Sequence, residues 1–584
     1  MNETIFPASE GFNTVFNIIE NCDIEAPSYE TGFGTGKFIF KKRSGSSEVL
    51  DLSESAKSIS SYSDLTTYKS LVLSETKLTA FTATTSETLI SSTYSDMKMF
   101  DSEEILGLSG GTASDHLTAT GGANTSGSTD GYLEDTTQSW TAEEYAGQYV
   151  WIVSGTGVGQ IQMIKTNDAT KLYVDSWLNS VAPSTDSEYV IFSEPISTPM
   201  FSSVSEGKTW FFDGNTLQYA PSLKSIRLMA QYDNRMWYVY DESPNLIYYT
   251  EIGQPLITES YIDTGLDDII DISSFGDYLL IGKEKKIRLI RDINIEETAV
   301  YNTADLITGL GVLSEGSITV WKGGAYLVGD DKQLYTLSIE SSSGDVLGSV
   351  SDISDTLGGY LDTFSYTSIF FLKRPQSLSL FLSDSENGVT RVCKYYQKYK
   401  GWTVDNFPFF INDYKFVGDS YYYTSSNSLL APGGTTDLGE TFEQRVGILF
   451  GLDDIFTLKN LYFLKFISEF NTSSVCRVYV EANGAYSRNV FKKDVDDSSL
   501  QSLGIGSEYA SLGQNVMGLT SLGGDLDTSS FMSSLRIFRV AVARSGSFFQ
   551  ILMTDEHGGG FSLGDVAVYY SSVNPVIHGK TMSV

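Results

Sequence analysis

The stretch that most constrains the fold is 225–253, which reads SIRLMAQYDNRMWYVYDESPNLIYYTEIG. Apolar and polar residues alternate over 226–231, as in a half-buried strand, and the residue types of Asp233 and Asn234 tolerate a left-handed turn. The predicted continuation is a strand at 236–240, a turn at 241–245 and a strand at 246–250. Three short strands joined by tight turns cannot cover their own apolar faces, so the rest of the chain has to supply similar sheets beside them.

Similar meanders recur along the chain. Each has a glycine-containing turn, such as Asp213-Gly214 or Asn387-Gly388, between aromatic and β-branched runs. The recurring segments are 209–220, 269–290, 317–337, 367–404 and 416–430. We interpret the meanders as blades of a β-propeller, for which the chain has room for about seven or eight four-stranded blades at roughly 40–50 residues each. Two stacked β-sandwiches are the alternative that the same strands could build.

The composition favours an all-β fold. The 584 residues include 35 Tyr and 33 Phe, whose side chains fill half-buried pleated surfaces. Hydrophobic residues make up 41% of the chain, which excludes a disordered protein. The length allows about three or four domains.

Changes in composition and in the length of the predicted strands divide the sequence into four parts. A Gly/Ser/Thr-rich run at 106–131 indicates a linker, and the strand-rich run at 132–193 indicates an inserted small β module. From about residue 439 the predicted strands are longer, which favours a separate sandwich or platform. The predicted parts are an N-terminal arm with the first propeller strands (1–106), the linker and inserted module (107–195), the remaining blades (196–435) and a C-terminal β platform (436–584).

The charge balance limits the partners of the protein. Lys and Arg number 39 against 73 Asp and Glu, which gives a formal charge of -34. Such a chain gains little affinity for a nucleic-acid backbone from counterion release, so we expect no tight grip on DNA. An acidic wall is compatible with DNA that passes without adhering.

Cysteines and apolar runs are sparse. The cysteines are Cys22, Cys393 and Cys476, an odd number with wide spacing that argues against a disulfide scaffold. No basic segment followed by an apolar run opens the sequence, and no run of about 18 apolar residues occurs. We expect a soluble protein with no membrane span and no export signal.

Candidate catalytic and metal-binding residues are few. The histidines have no ligand spacing with one another or with the cysteines; they are His116, His557 and His578. Asp494, Asp496 and Asp497 lack the glycine and the terminal glutamate of an EF-hand loop, so a solvated acidic loop is expected. We predict no catalytic residue, no metal and no cofactor, and the sequence assigns no channel gate.

Two motifs are similar to known functional motifs, but each lacks residues that the function requires. SGTGVGQ at 154–160 lacks the Lys and Ser/Thr of a phosphate-binding loop, so we expect a tight hairpin between strands at 150–153 and 161–164. SVSEGKTW at 203–210 is similar to the Asp-box of sialidase-type propellers, but Ser205 stands at the aspartate position. The tryptophans within strand patterns are expected to pack between blades; they are Trp237, Trp321 and Trp402.

Several segments resemble, in order, the propeller core of short-tailed phage tail proteins. In that family a tyrosine-rich strand closing on a "G, any residue, P" step precedes a succession of hairpins, as RMWYVYDESPNLIYYTEIGQP does at 235–255. KYYQKYKGWTV at 394–404 is similar to a late blade of the family, and 535–556 is similar to its platform strands. The 154–160 motif with its flanking strands resembles a small β module of phage tail and fibre proteins. The other matching hairpins are 267–290 and 311–337.

The resemblance implies a tail nozzle, tail tubular or packaged-DNA stabilisation protein. Members form a hexameric ring below the portal and adaptor, line the DNA exit channel, retain the genome and let it leave. The implied partners are further copies of the chain, adaptor and portal-side proteins, tail fibres or spikes, and genomic DNA that passes without tight binding. The implied location is the virion tail, after synthesis in the host cytoplasm, and no catalysis is implied.

Two other functions stay open. One is a propeller-based receptor- or carbohydrate-binding protein of a virion or cell surface. In that case the inserted module with its SGTGVGQ motif, the GTG module, is the recognition tip. The other is a glycan hydrolase, although no arginine cluster for a sugar carboxylate is visible.

Overall fold

The structure is a computed structural model, and its elements are all β-strands in the residues that it describes. Those residues are 2–6, 19–20, 22–25, 39–63, 68–82, 84–100, 117–118, 131–177, 181–192, 198–212, 214, 216–220, 222–250, 256–292, 300–342, 345–354, 357, 361, 364–398, 401–417, 420–433, 436–450, 459–470, 475–482, 491–495, 535–546, 549–555 and 561–572. The all-β class predicted from composition and alternation is therefore confirmed.

The chain begins with short strands that belong to sheets completed much later in the sequence. They are β1 (Asn2–Phe6), β2 (Ile19–Glu20), β3 (Cys22–Glu25), β4 (Ile39–Lys42) and β5 (Ser46–Asp51). The first four-stranded antiparallel sheet, unit 1, follows. Its strands are β6 (Ala56–Ser63), β7 (Tyr68–Ser74), β8 (Leu78–Phe81) and β9 (Ser86–Ile90).

Unit 2 is split by the inserted module. Its first strand is β10 (Lys98–Phe100). The module strands are β11 (Leu117–Thr118), β12 (Gly131–Glu134), β13 (Tyr149–Ser154), β14 (Ile161–Met163), β15 (Thr166–Asn167), β16 (Lys171–Val174) and β17 (Glu188–Phe192). They form two small sheets, in the orders β11-β17-β13-β14 and β12-β16-β15. Unit 2 is completed by β18 (Met200–Ser203), β19 (Lys208–Phe212) and β20 (Leu217–Tyr219), with β18 paired to β10.

Units 3 to 5 are three consecutive four-stranded sheets, each built from one continuous segment. Unit 3 comprises β21 (Ile226–Tyr232), β22 (Arg235–Tyr240), β23 (Ser243–Thr250) and β24 (Thr258–Asp263). Unit 4 comprises β25 (Ile269–Phe275), β26 (Tyr278–Lys283), β27 (Lys286–Asp292) and β28 (Tyr301–Thr308). Unit 5 comprises β29 (Ile318–Trp321), β30 (Gly324–Val328), β31 (Leu334–Ser342) and β32 (Asp345–Asp352).

Unit 6 is also continuous, whereas unit 7 borrows its fourth strand. Unit 6 comprises β33 (Ser368–Lys373), β34 (Leu378–Asp384), β35 (Val389–Tyr396) and β36 (Gly401–Phe407). Unit 7 comprises β37 (Asp413–Val417), β38 (Ser420–Ser425) and β39 (Ser428–Pro432), and β39 pairs antiparallel with β5 from the start of the chain.

In the meander at 225–253 the first turn is correctly predicted, but the second turn and the extent of the sheet are not. Asp233 and Asn234 have φ of 53° and 54°, which gives the left-handed turn between β21 and β22. Strand β23 begins earlier than predicted, at Ser243, and includes Pro244. The sheet also has a fourth strand, β24, and most of its residues are exposed, so no apolar alternation marks it.

Neighbouring units contact one another in sequence order. Contacts between first strands join units 1 and 2, 3 and 4, 4 and 5, 6 and 7, and 7 and 1, while β18 contacts β21 between units 2 and 3. Units 5 and 6 share an apolar cluster in which Trp321 and Tyr326 pack with Leu380 and Trp402. The seventh unit therefore contacts the first, and each unit covers an apolar face of the next.

In the described residues nine strands follow unit 7, of which the first two extend its sheet beside β5 and the other seven form two larger sheets with the N-terminal strands. They are β40 (Thr436–Asp437), β41 (Glu440–Thr441), β42 (Gln444–Phe450), β43 (Lys459–Phe470), β44 (Cys476–Ala482), β45 (Phe491–Val495), β46 (Leu535–Gly546), β47 (Phe549–Asp555) and β48 (Phe561–Ser572). One sheet has the order β3-β4-β48-β43-β46, with β1 also on β48. The other continues unit 6 through β2 into β42, β47, β44 and β45. The two sheets touch where β44 and β45 contact β46.

Candidate functional site

Charged side chains converge where the first strands of the units begin. The ammonium group of Lys98, at the start of unit 2, donates to the backbone oxygen of Arg227 in unit 3 at 2.8 Å and pairs with the carboxylate of Glu315. Glu315 lies in the link that leads into unit 5. The ion pair therefore joins unit 2 to the start of unit 5, past units 3 and 4.

Asp271 joins units 4 and 5 from a buried position on β25. Its Oδ2 accepts the N–H of Ile318 at 2.7 Å, and its Oδ1 accepts the N–H of Ile272 at 3.0 Å. Burial raises the pKa of Asp271 to about 8, the N–H of Ile318 acts in the opposite direction, and the nearby Glu315 raises it further. Burial therefore keeps the pKa of Asp271 raised although both of its oxygens accept hydrogen bonds.

The same kind of polar acceptor recurs at other unit boundaries. Asp413 Oδ2 of unit 7 accepts the N–H of Ile59 in unit 1 at 3.0 Å. Ser202 Oγ of unit 2 accepts the N–H of Ile226 in unit 3 at 2.6 Å. These bonds satisfy backbone donors that would otherwise be buried between sheets. The side-chain oxygens at these boundaries therefore bind backbone N–H groups of the neighbouring unit. The carboxylates among them are not placed as an acid–base pair.

The Asp-box-like segment forms a turn that is completed from another part of the chain. The turn joins β18 to β19, with Gly207 at φ 64°. The carboxylate of Asp96 accepts the N–H of Ser205 at 2.6 Å and the hydroxyl of Ser203 at 2.8 Å. Burial alone would raise the pKa of Asp96, but these hydrogen bonds lower it. Asp96 thus supplies a carboxylate that the local motif lacks.

The GTG segment, residues 154–160, forms the predicted hairpin and packs against unit 3. Strands β13 and β14 pair antiparallel, and Gly155, Gly157 and Gly159 have φ of 77°, 83° and 90°. A Cβ on Gly159 would lie 2.9 Å from the Cβ of Leu256, so this glycine permits close packing against the segment between β23 and β24. The hairpin prediction is confirmed, and the turn attaches the module to unit 3.

Trp151 of the module extends this attachment. Its ring lies 4.8 Å from that of Phe211 in unit 2, and it belongs to the core that contains Phe201 and Tyr238. The opposite face of β13, with Val150 and Ile152, packs in the module's own core. A strand buried on both faces therefore fixes the module to the main body.

The candidate ligands give no metal site in the part of the chain that the structure describes, where no group of three His, Cys, Asp or Glu has suitable geometry. The histidines His116, His557 and His578, and also Asp496 and Asp497, lie outside the described residues. The carboxylate of Asp494 binds the Arg477 guanidinium at 2.6 and 3.2 Å. The side chains of Cys393 and Cys476 are buried, and burial raises the pKa of the Cys393 thiol to about 12.

The three tryptophans predicted to pack between blades lie in apolar clusters shared by neighbouring units. Trp237 and Trp402 are fully buried, and Trp321 is 5% exposed. Trp237 contacts the rings of Tyr249 and Tyr301 at 5.0 and 4.8 Å. These indoles contribute to cores and offer no surface to a sugar.

A different group of aromatic residues does lie at the surface. Tyr94 stacks on Trp210 with ring centroids 5.4 Å apart, and Trp210 contacts Tyr219 at 6.4 Å. Tyr94 is 40% exposed and Tyr219 is 43% exposed, and the Lys208 ammonium lies over the Tyr219 ring. We call Tyr94, Trp210 and Tyr219 the aromatic strip. The sequence did not indicate it, because Tyr94 comes from a link far from β19 and β20.

In the described residues, the structure contains no helix with the length and apolarity needed to span a bilayer.

Comparisons with known proteins do not assign a family. No known protein family matches the sequence, and no curated protein matches it. Among solved structures, PorZ, a bacterial surface component of the type-IX secretion system of Porphyromonas gingivalis, is 11% identical with a TM-score of 0.31. That match covers 72% of this chain and 44% of PorZ, so the chain spans less than half the length of that protein.

Two other solved structures show similarly distant likeness. An exo-β-1,3-galactanase from Phanerochaete chrysosporium is 10% identical with a TM-score of 0.23, and the match covers 59% of this chain and 95% of the galactanase. Hsv2 of Kluyveromyces lactis is 9% identical with a TM-score of 0.26, and the match covers 60% of this chain and 97% of Hsv2. These values are too low to carry an argument about function.

Proposed function

We propose that the chain is a β-propeller subunit of the tail nozzle ring of a short-tailed bacteriophage, a structural virion protein without catalysis. In this proposal six copies surround the DNA exit channel, retain the packaged genome and allow its ejection. The subunits bind adaptor or portal-side proteins on one side and tail fibres or spikes on the other. Genomic DNA passes without tight binding, as the net charge of -34 favours.

The propeller part of the proposal rests on seven successive four-stranded units. Pairing of β5 with β39 completes unit 7, and β37 contacts β6 of unit 1. The Lys98–Glu315 ion pair links units 2 and 5 across the beginnings of the first strands. Two stacked sandwiches would not require each unit to contact the next in sequence order and the seventh to contact the first, so these contacts favour a seven-bladed propeller.

The nozzle part rests on one observation, the presence of three phage-like segments, in order, in three successive units. The segments 235–255, 267–290 and 311–337 resemble the phage proteins in order, and they fall in units 3, 4 and 5. The proposed organisation keeps an arm and first blade strands (1–106), a linker and module (107–195), blades (196–435) and a platform (436–584). A stiff sheet ring offers a suitable building block for a larger symmetric assembly.

Electron microscopy of the purified chain tests this proposal. We expect six-fold rings in negative stain, either from the chain alone or after the adaptor protein of the same phage is added, and a hexamer mass by mass photometry. A chain that stays monomeric at all concentrations with the adaptor present, or that is absent from purified virions by mass spectrometry, would refute it.

The aromatic strip favours a second candidate, a receptor- or carbohydrate-binding protein. Flat aromatic faces with nearby hydroxyl and ammonium groups suit sugar rings. The test is glycan-array binding of the wild type against Trp210→Ala, with Tyr68→Ala as a control at another exposed tyrosine. Glycan binding that is lost only in Trp210→Ala would support the candidate, and absence of binding by the wild type would exclude it.

A further inference from the structure

The junction where the N-terminal chain enters unit 7 contains a buried network of four charges. Arg43 is 3% exposed and lies between β4 and β5. Its guanidinium donates to both carboxylate oxygens of Asp437, at 3.0 and 2.5 Å. Its Nε lies 4.0 Å from Asp405, whose other oxygen binds the Lys394 ammonium at 2.5 Å. Two cations and two anions thus neutralise one another out of water.

Aromatic rings enclose the guanidinium of Arg43 on two sides. The ring centroids of Phe407 and Phe442 lie 4.1 and 3.9 Å from its central carbon. A third donor contact goes to the backbone oxygen of Asn406 at 3.0 Å. Burial alone would lower the pKa of Arg43, but the neighbouring Asp437 and Asp405 raise it, so the group stays charged.

The partners of Arg43 come from different parts of the molecule. Asp405 and Phe407 belong to β36 of unit 6, and Asp437 lies on β40, which pairs with β5 through Ser46. On the other side, Arg43 directly follows β4, which pairs with β48 in the C-terminal sheet. A displacement of β4 would therefore withdraw the guanidinium from both aspartates.

We propose that Arg43, Asp437, Asp405 and Lys394 form a latch that makes closure of the unit row and docking of the C-terminal sheets one cooperative event. Removal of one member of a buried network leaves uncompensated charge, which is far more costly than losing an exposed pair. A state with β5 paired to β39 but β4 detached is penalised for this reason. The latch is independent of the phage assignment, because it uses only contacts within one chain.

Amide hydrogen exchange on the full chain tests the latch. In the wild type we expect β4, β5, β40 and β48 to open together, with equal free energies of exchange. In Arg43→Met we expect exchange in these four strands to accelerate on the order of 100-fold or more while strands of units 3 and 4 keep their protection. The matched control is Arg445→Met, which removes an exposed ion pair with Glu443 close to the junction.

Two outcomes would overturn the latch: uniform acceleration across all units, or no acceleration in β4 and β48. If Arg43→Met does not fold, Arg43→Lys retains the charge but loses the two-pronged contact with Asp437. We then expect a smaller acceleration confined to the same four strands. Protection equal to the wild type in Arg43→Lys would also contradict the proposal.

Discussion

Units 3 to 5 and the closing region around unit 7 use the same four-stranded pattern but differ in how they are assembled. Each of the three units forms from one continuous segment. Unit 7 needs β5, and the bond from Arg43 to Asp437 joins residues 394 positions apart. Local pairing suffices to specify a unit of this kind, whereas unit 7 needs a strand and charged residues that are distant in the sequence. The closing region is therefore where a single substitution should have the widest effect.

The largest expected effect is loss of the buried guanidinium at the closing region. Arg43→Met should lower the free energy of unfolding by about 3–5 kcal/mol, because Asp437 and Asp405 stay buried without their main cation. Chemical denaturation followed by tryptophan fluorescence measures this. A loss below about 1 kcal/mol would mean that closure does not depend on the network and would weaken the contrast with units 3 to 5.

Within the locally formed units, the largest pH effect should come from Asp271. Its folded pKa, about 8, lies above its ordinary value, so the protonated form is favoured in the fold. The associated stabilisation is fully present below about pH 4 and is lost as the pH rises through about 8. The free energy of unfolding of the wild type, minus that of Asp271→Asn, should fall by up to about 1.4 kcal/mol per pH unit in that window.

Urea titrations of both proteins at a series of pH values provide the measurement. The amide cannot accept both N–H groups, which adds a constant offset and no slope. Asp413→Asn is the matched control, because it removes the same kind of acceptor between units 7 and 1. A difference curve that is flat between pH 4 and pH 8 would show that Asp271 stays ionised in the fold.

A smaller effect is expected where the module meets unit 3. Gly159→Ala places a Cβ at φ 90° and 2.9 Å from Leu256, so it should cost about 1–3 kcal/mol. Limited proteolysis should show faster cleavage near the module and unchanged cleavage of units 4 and 5. Gly147→Ala is a useful control, because its φ is 82° but a Cβ there meets no neighbouring atom. Equal effects of the two variants would indicate backbone strain alone.

The smallest effect is expected in the link between units 3 and 4. Leu266 is 98% exposed, so Leu266→Ser should change the free energy of unfolding by less than about 0.5 kcal/mol. Thermal unfolding measures the change. A larger loss would mean that this leucine is covered in solution, for example by another copy of the chain.

The parts of the fold that could be predicted from sequence are those with local signals. The residue types of Asp233 and Asn234 predict a turn, and the apolar composition of β22 predicts a strand. No sequence signal marks strand β24, because its side chains are mostly exposed and show no apolar alternation. The sequence predicts a turn at Ser243 and Pro244, since proline is uncommon in strands. In the structure these two residues are the first residues of β23.

The residues of the candidate sites could be predicted only where they share one segment. The GTG segment packs against Leu256, and the turn after Ser203 is held by hydrogen bonds to Asp96. Neither partner has a recognisable spacing to its motif, because the chain folds back over many residues before they meet. The Arg43–Asp437 pair is the extreme case, and no pattern in a single sequence marks it.

The central claim is that the N-terminal strand closes the row of seven units, and a cysteine cross-link tests it most directly. Ser47 and Ala431 face each other in the register of β5 and β39. In a Cys22→Ser background, the double variant Ser47→Cys, Ala431→Cys should form an intramolecular disulfide under mild oxidation, visible as faster migration on a non-reducing gel. The control pair Ser47→Cys, Ser260→Cys should not. If the two pairs cross-link at the same rate, or neither does, the row of units is not closed in this way.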